Sequence, residues 1–196
     1  GLTEPLLSAV VQAGFQDPTD IQTALIPVAI SGRDCLGQAG TGTGKTAAFT
    51  LPILQLLTPG QPFQVIALVP TRELAAQVDS HVRMFAGTIK TAVGYGGHRI
   101  SQQLGSLKRN PEIIVGTPGR ILDLIGRKLL SLAAVKFVVL DEVDRMLDIG
   151  FRDDIRRILS QVTGPHQTIF VSATLDDNIR KLAQAYTKEP VELDVS

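Results

Sequence analysis

The sequence contains no tryptophan, only seven phenylalanines and two tyrosines, and a single cysteine, Cys35. One cysteine cannot form an internal disulfide, and the chain shows no cysteine and histidine framework of a structural zinc site. Cys35 lies in the apolar run DCLG, which favours a small buried side chain over a nucleophile or a ligand. No apolar run approaches the roughly 20 residues that span a bilayer, and the start, GLTEPLLSAV, lacks the basic segment of a secretory signal. These absences predict a cytoplasmic protein without a membrane partner.

The composition predicts one domain over residues 1–196. Of these residues 44% are hydrophobic, which is enough for a sizeable core. The net charge is zero but unevenly distributed: residues 1–89 contain 4 basic and 6 acidic side chains, residues 90–140 contain 8 and 2, and residues 141–196 contain 7 and 11. The basic middle part is either a surface for a polyanion or an ordinary solvated surface, and charge alone favours the second interpretation.

Short apolar runs alternate along the chain with segments of helical periodicity. Runs as uniformly apolar as FVVL and TIFV suit strands that are covered on both faces. The order therefore predicts an α/β fold with a mostly parallel central sheet and helices on both faces. The predicted strands are DCLGQ, VIALVP, TAVGY, EIIVGT, FVVLDE, TIFVSAT and VELDV, and the clearest helices are TRELAAQVDSHVRMFA, PGRILDLIGRK, FRDDIRRILSQV and DDNIRKLAQAY.

In such sheets ligands bind beyond the carboxyl ends of the strands, and the segment after the first strand has the spacing of a phosphate-binding loop. Its glycines allow backbone N–H groups to converge on phosphate oxygens, and the next helix presents its positive end to the same charge. Lys45 is predicted to contact the β- and γ-phosphates and Thr46 to ligate Mg²⁺. A flexible turn is the alternative, but it does not explain a lysine between Gly44 and Thr46. The predicted loop comprises Ala39, Gly40, Thr41, Gly42, Thr43, Gly44, Lys45 and Thr46.

The stretch FVVLDEVD supplies two adjacent carboxylates at the end of another predicted strand. Asp141 is placed to hold Mg²⁺, directly or through water, and Glu142 to polarise the water that attacks the nucleotide. Such a pair can equally begin a helix as caps, and the pair alone does not separate the two interpretations. Together with the phosphate loop, it favours catalysis by Lys45, Asp141 and Glu142.

Seven short segments, in this order along the chain, resemble the motifs of DEAD-box ATP-dependent RNA helicases. They are GFQDPTDIQ, AGTGTGKT, PTRELA, GG, TPGR, DEVD and SAT. The resemblance covers the whole sequence and is to the first of the family's two RecA-like domains. It implies ATP and Mg²⁺ as ligands, RNA as a partner, and a second RecA-like domain of the same protein as the other half of the ATPase. An isolated first domain is expected to be monomeric and nearly inactive.

The resemblance also implies roles for individual residues. Gln22 is similar to the glutamine that reads adenine, and Phe15 to a packing residue of the same nucleotide-binding segment. The alternative is that PTDIQTALIPVAI is an ordinary amphipathic helix start. Ser172 and Thr174 resemble a coupling element whose hydroxyls bond to Asp144, and a cap of the following helix is the alternative.

The remaining strand-end segments resemble those with which the family holds the RNA sugar-phosphate backbone. Small residues admit a phosphate close to the main chain, hydroxyl and N–H groups donate to it, and Arg120 can bind it in a bidentate manner. TPGR is also a competent helix start and GG a competent bend. Backbone contacts imply little sequence specificity. The implied RNA-binding residues are Pro70, Thr71, Arg72, Gly97, Thr117, Gly119 and Arg120.

Four features depart from the family pattern. Ala39 stands where the general phosphate-loop pattern has glycine, and Val143 where the family has alanine. The chain begins after the expected position of an aromatic that stacks on adenine, and it ends before the second domain, which favours a truncated chain over a natural single-domain relative.

Two other functions stay open, a DNA-directed P-loop motor and a non-catalytic clamp for nucleotide and RNA. GFQDPTDIQ and TPGR argue against the first, and intact Lys45, Asp141 and Glu142 argue against the second.

Overall fold

The fold is built on a seven-stranded parallel sheet in a computed structural model that describes residues 1–97 and 99–196. The strands are β1 (Cys35–Gln38), β2 (Val65–Leu68), β3 (Thr91–Gly94), β4 (Ile113–Gly116), β5 (Phe137–Asp141), β6 (Gln167–Ser172) and β7 (Val191–Asp194). Their order across the sheet is β3-β4-β2-β5-β6-β1-β7, and every neighbouring pair is parallel. Each predicted apolar run forms one strand, so the predicted α/β fold with a parallel sheet is confirmed.

Helices connect the strands, and the four helices named from the sequence are all present. Within the described ranges, no helix is both long and apolar enough to cross a membrane. The helices are α1 (Glu4–Gln12), α2 (Asp20–Ile30), α3 (Lys45–Leu56), α4 (Arg72–Ala86), α5 (Ile100–Leu107), α6 (Pro118–Gly126), α7 (Val143–Ile149), α8 (Arg152–Leu159) and α9 (Asp177–Tyr186).

The central strand β5 shows why the strands are apolar throughout. Val138 and Leu140 belong to a buried apolar cluster that includes Ile155 of α8. Val139, between them, belongs to a second cluster that includes Val78 of α4. Because successive strand residues face opposite sides of a sheet, both faces of β5 are covered by helices, and no position in the run can be polar without cost.

A third, smaller apolar cluster attaches α1 to the rest of the domain. It contains Leu6 of α1, Leu51 of α3 and Phe85 of α4. Phe15, shortly after α1, packs edge-to-face with Phe85 with 5.7 Å between the ring centroids. Such an aromatic pair contributes about 0.5 to 1.5 kcal/mol beyond the area it buries. The cluster holds the segment that leads to Gln22 beside the phosphate-loop helix α3.

Cys35 begins β1 and is fully buried. Burial, with a smaller contribution from the negative charge of Asp34, raises the pKa of the Cys35 thiol to about 12. The thiol therefore stays protonated at neutral pH, and its Sγ donates to the carbonyl of Arg33 at 3.4 Å. The prediction of a buried structural cysteine is confirmed.

Candidate active site

The polar segments that follow the strands meet at one edge of the sheet, because all seven strands run in the same direction. Along this carboxyl edge lie residues 39–46 after β1, Ser172 at the end of β6, Asp141 and Glu142 at β5, Thr71 after β2, Thr117 after β4 and Gly97 after β3. The predicted nucleotide-binding segments therefore occupy the half formed by β1, β6 and β5. The predicted RNA-binding segments occupy the adjoining half formed by β2, β4 and β3.

The phosphate loop has the backbone conformation that its glycines predict. Gly42 and Gly44 have φ values of 76° and 83°, in the left-handed region that favours glycine. The Thr43 hydroxyl donates to the carbonyl of Gly40 at 2.6 Å and closes the loop on itself. In the part of the chain that the structure describes, the backbone N–H groups of residues 40–44 donate to no protein acceptor. They remain available to an anion at the start of α3.

Among residues 1–97 and 99–196, Lys45 and Asp141 are the two buried charged side chains at this end of the sheet. Lys45 is 8% exposed and Asp141 is 3% exposed. Neither Lys45 Nζ nor Asp141 Oδ1 has a hydrogen-bond partner among residues 1–97 and 99–196. Buried charges without partners are costly, so their retention points to a ligand that pairs with both. Phosphate oxygens suit the ammonium group, and Mg²⁺ or its bound water suits the carboxylate. The residues present therefore fit a magnesium-bound nucleotide.

Several neighbouring groups, together with burial, determine the pKa of Asp141. Desolvation raises the pKa of Asp141 to about 6, against the opposing effect of the positive charge of Lys45. The negative charges of Glu142 and Asp144 raise it further, while a backbone hydrogen bond from Glu142 lowers it. A divalent cation beside the carboxylate would reverse this balance, because it stabilises the ionised form.

Glu142 has an unusual backbone conformation at the start of α7. Its φ and ψ are 53° and 54°, and a left-handed conformation in a residue other than glycine costs on the order of 1 kcal/mol or more. Strain of this kind is concentrated at functional sites. The Glu142 carboxylate lies 3.4 Å from the guanidinium of Arg145, three residues along the same helix turn. Arg145 was absent from the sequence-based site, although the i, i+3 spacing of opposite charges is a signal that could have identified it.

Gln22 contacts the phosphate loop directly. Its Oε1 accepts from the backbone N–H of Thr19 at 3.0 Å and its Nε2 donates to the carbonyl of Gly44 at 3.2 Å. A Cβ added to Gly44 would lie 2.5 Å from Gln22 Nε2, so glycine is also required by this contact. Gln22 and Thr19 form a capping box at the start of α2. The helix start and the nucleotide-site segment are therefore the same feature, whereas adenine recognition by Gln22 stays a prediction. Phe15 lies in the packing of α1 described above.

Ser172 and Thr174 join the carboxylate segment to the phosphate loop. The Ser172 hydroxyl accepts from the backbone N–H of Asp144 at 3.2 Å, and the Thr174 hydroxyl donates to Asp144 Oδ2 at 3.1 Å. The carbonyl of Ser172 accepts from the backbone N–H of Ala39 at 3.0 Å. A continuous path of hydrogen bonds thus runs from the phosphate loop to Asp144. The side chain of Val143 is fully buried in an apolar cluster, where its additional methyl groups are packed.

The predicted RNA-binding threonines stand at helix starts. The Thr71 hydroxyl accepts from the backbone N–H of Leu74 at 3.2 Å and caps α4. Thr117 precedes α6, and its backbone N–H donates to the carbonyl of Gly94 at 3.0 Å. Pro70, before Thr71, is buried. The alternative interpretation of TPGR as a helix start is therefore correct in structural terms. Because Thr71 also caps a helix, two helix N-termini lie on this half of the edge.

The remaining predicted RNA-binding residues surround the same half of the edge. Arg72 is exposed, and its Nη1 would lie 3.4 Å from a Cβ added to Gly97, so the two segments adjoin. Gly119 is exposed and has open space where a side chain would be. The Cγ of Arg120 would lie 3.5 Å from a Cβ added to Gly94, which shows that its stem packs across the end of β3. The structure thus brings all seven RNA-binding candidates to the edge formed by β2, β4 and β3.

Comparison with known proteins gives consistent results. A family model described as DEAD/DEAH box helicase matches residues 19–182. The chain is 48% identical over its whole length to the DEAD-box ATP-dependent RNA helicase CshA of Bacillus cereus, and 45% identical over 99% of its length to CshA of Bacillus subtilis. It covers 38% and 40%, respectively, of the length of these two relatives.

A solved structure supports the same assignment. The crystal structure of a DEAD box protein from the hyperthermophile Methanococcus jannaschii superimposes with a TM-score of 0.96 at 39% sequence identity. The match includes 100% of this chain and 55% of that protein. The family match over residues 19–182 agrees with the seven motifs and with their positions on the carboxyl edge. The chain belongs to the DEAD/DEAH box helicase family.

Proposed function

We propose that this chain is the ATP-binding and RNA-holding domain of an ATP-dependent RNA helicase. The observation that carries the proposal is the pair of buried polar atoms, Lys45 Nζ and Asp141 Oδ1, that lack partners within the described ranges. The pair lies beside a loop whose backbone N–H groups face no protein acceptor in the same ranges. A magnesium-bound triphosphate would satisfy both atoms and the loop together.

Each polar group of the nucleotide half has a role in this proposal. Residues 40–44 and Lys45 bind the phosphates, while Thr46 and Asp141 hold Mg²⁺ directly or through water. The metal, when bound, offsets the negative charge that develops on the phosphate oxygens. Glu142 orients the attacking water and accepts its proton. Gln22, which already contacts Gly44, recognises the adenine base by donating and accepting hydrogen bonds.

The other half of the edge holds RNA through its sugar-phosphate backbone. Helix N-termini at Thr71 and Thr117, the open main chain at Gly97 and Gly119, and the guanidinium of Arg120 supply the donors. These contacts carry little information about base sequence. The hydrogen bonds of Asp144 with Ser172 and Thr174 connect the phosphate loop to the segment after β5, the strand that borders the RNA-holding half. Through this segment nucleotide state and RNA binding influence each other.

A second RecA-like domain is proposed to complete the enzyme. The chain spans 38% of the length of the B. cereus relative. Phosphoryl transfer in related ATPases depends on an arginine finger that contributes about 10³ to 10⁵ in rate. We assign this arginine to the second domain of a longer protein, which would also close on the RNA strand and bend it.

The test is RNA-stimulated ATP hydrolysis and release of an RNA duplex. Both are measured for this chain and for a chain that continues through a second RecA-like domain, with Glu142→Gln in each as the inactive control. The longer chain should hydrolyse ATP in an RNA-dependent manner and separate the duplex, while this chain should bind nucleotide weakly and do neither at a comparable rate. Equal activities of the two chains would contradict the proposed need for a second domain. Stimulation of ATP hydrolysis by DNA in place of RNA would contradict RNA as the substrate.

A further inference from the structure

Three basic side chains outside the seven motifs gather at the opposite, amino end of β3. Arg83 lies in the last turn of α4, Lys90 precedes β3, and Arg109 follows α5. All three line one concavity with a volume of about 380 Å³. Lys90 Nζ donates to the carbonyl of Arg109 at 3.4 Å, which joins the segments before and after α5. Lys90 and Arg109 are two of the eight basic residues of the range 90–140.

The carboxylates next to these three cations are engaged and largely buried. The Asp79 side chain is 14% exposed, and its two oxygens accept from Arg83 at 2.9 Å and from the Thr91 hydroxyl at 2.5 Å. Glu112 is 4% exposed and accepts from the backbone N–H of Lys90 at 3.3 Å. Together with about half a negative charge at the carboxyl end of α4, the two carboxylates offset most of the three positive charges. The charges exposed to solvent are nevertheless those of the cations, because Arg83, Lys90 and Arg109 are exposed and the two carboxylates are largely buried.

A second concavity lies between this cluster and the carboxyl end of β3, since its lining includes both Arg83 and Tyr95. It has a volume of about 180 Å³ and is lined by Tyr95, Gln102 and Ser106 together with Arg83, which lines the first concavity as well. Tyr95 directly precedes the Gly96 and Gly97 bend at the carboxyl end of β3. The two concavities share Arg83 as a lining residue, and together they are named the edge groove. They lie beside β3, the outermost strand of the sheet, whose four residues span about 13 Å.

We infer that the edge groove binds the sugar-phosphate backbone of RNA that extends beyond the carboxyl edge at Gly97, with its phosphates paired to Arg83, Lys90 and Arg109. This inference rests on the proposed function, since the carboxyl edge supplies the RNA segment that enters the groove. An acidic polypeptide has the same charge, but Tyr95, which lines the second concavity, lies two residues before Gly97, and this proximity favours RNA over a separate partner. The polar side chains of Gln102 and Ser106 suit contact with sugar hydroxyl groups. Binding of this type is salt-dependent and largely independent of base sequence.

The experiment follows RNA binding by amide NMR shifts of the isotopically labelled chain. Two unstructured RNAs are titrated, one of about six nucleotides and one of about 16 nucleotides, to separate the carboxyl edge from the edge together with the groove. The triple variant Arg83→Gln, Lys90→Gln and Arg109→Gln is compared with the charge-matched control Arg156→Gln, Arg157→Gln and Lys181→Gln. The control residues are exposed, lie on α8 and α9, and line neither concavity. Thermal unfolding verifies that both variants fold.

The longer RNA should shift the amide signals of Gly87 and Thr88 together with that of Gly97, whereas the shorter RNA should shift that of Gly97 alone. The groove variant should bind the longer RNA about tenfold more weakly. The slope of the logarithm of its binding constant against the logarithm of the salt concentration should be smaller in magnitude by about two, since each of three lost phosphate contacts on a single strand contributes about 0.7. Its affinity for the shorter RNA should equal that of the control. Shifts at Gly97 without shifts at Gly87 and Thr88, or equal affinity of the two variants for the longer RNA, overturn RNA binding by the edge groove and leave the proposed function standing. Absence of any shift with either RNA overturns the proposed function and the groove together. Poly-glutamate is titrated as a third ligand. If the groove variant loses binding to poly-glutamate and keeps its binding to RNA, the groove is assigned to an acidic protein and the inference is overturned.

Discussion

Replacing Asp141 with asparagine should stabilise the ligand-free chain at neutral pH and weaken its binding of the magnesium-bound nucleotide. The carboxyl group is 3% exposed, and burial raises its pKa from the usual 3.8 to about 6. The native state therefore holds a proton between about pH 4 and pH 6 that the unfolded chain has already lost. Stability from this group is fully present below pH 3.8 and is lost as the pH rises through 6.

The size of the effect follows from the pKa shift. A pKa raised from 3.8 to about 6 corresponds to roughly 3 kcal/mol, which is the cost of keeping the Asp141 carboxylate ionised in the folded chain at pH 7. Removing this cost should raise the midpoint of thermal unfolding by up to about 10 °C in a domain of this size. At pH 4 the advantage of Asp141→Asn should almost disappear, because the wild-type group is then protonated as well.

The assay is thermal and urea unfolding of both proteins at several values between pH 4 and pH 8, without nucleotide or metal. Asp148→Asn is the matched control, because Asp148 is exposed on α7 and its charge is solvated. Calorimetry with Mg²⁺ and ATP should then show weaker metal-dependent binding for Asp141→Asn only. A lower stability of Asp141→Asn at pH 7, or a stability difference that does not change with pH, would refute the reasoning.

Three further substitutions separate the roles of neighbouring residues. In a chain that includes the second domain, Glu142→Gln should retain ATP binding and lose turnover by at least about 100-fold, and unchanged turnover in a steady-state assay would remove Glu142 from catalysis. Gln22→Ala should narrow the difference in affinity between ATP and GTP, and it should also cost about 1 kcal/mol of stability because the capping box is lost. An unchanged preference for ATP over GTP in calorimetry would contradict adenine recognition by Gln22. Thr174→Val, which removes the hydrogen bond to Asp144, should leave separate ATP and RNA affinities intact and reduce RNA stimulation of hydrolysis; full stimulation would show that the bond does not couple the two sites.

Features that depend on local sequence could be predicted without coordinates. The strands were evident because burial on both faces of a parallel sheet requires uninterrupted apolar runs such as FVVL. The phosphate loop was evident because its conformation needs glycines at positive φ, as at Gly42 and Gly44. The parallel order then brought the segments after the strands to one edge, which is why the nucleotide and RNA candidates were found together.

Features that depend on contacts between distant segments could not be predicted in the same way. Gln22 and Gly44 are separated by 22 positions, and only the packing of α2 against α3 brings the amide to the loop carbonyl. The raised pKa of Asp141 follows from burial, which the letters DEVD do not contain. The edge groove likewise combines residues from the end of α4, the start of β3 and the end of α5. No short motif links Arg83, Lys90 and Arg109 in the sequence.

The most direct test of the nucleotide site is calorimetric titration of ATP with Mg²⁺ into the wild-type chain and into Lys45→Ala, with Lys181→Ala as a control at an exposed lysine. Lys45 Nζ is buried and has no hydrogen-bond partner within the described ranges, and thermal unfolding verifies that Lys45→Ala is folded before it is titrated. We expect measurable binding by the wild-type chain and by Lys181→Ala, and no measurable binding by folded Lys45→Ala. Wild-type affinity in folded Lys45→Ala would contradict the assignment of Lys45 to the nucleotide phosphates.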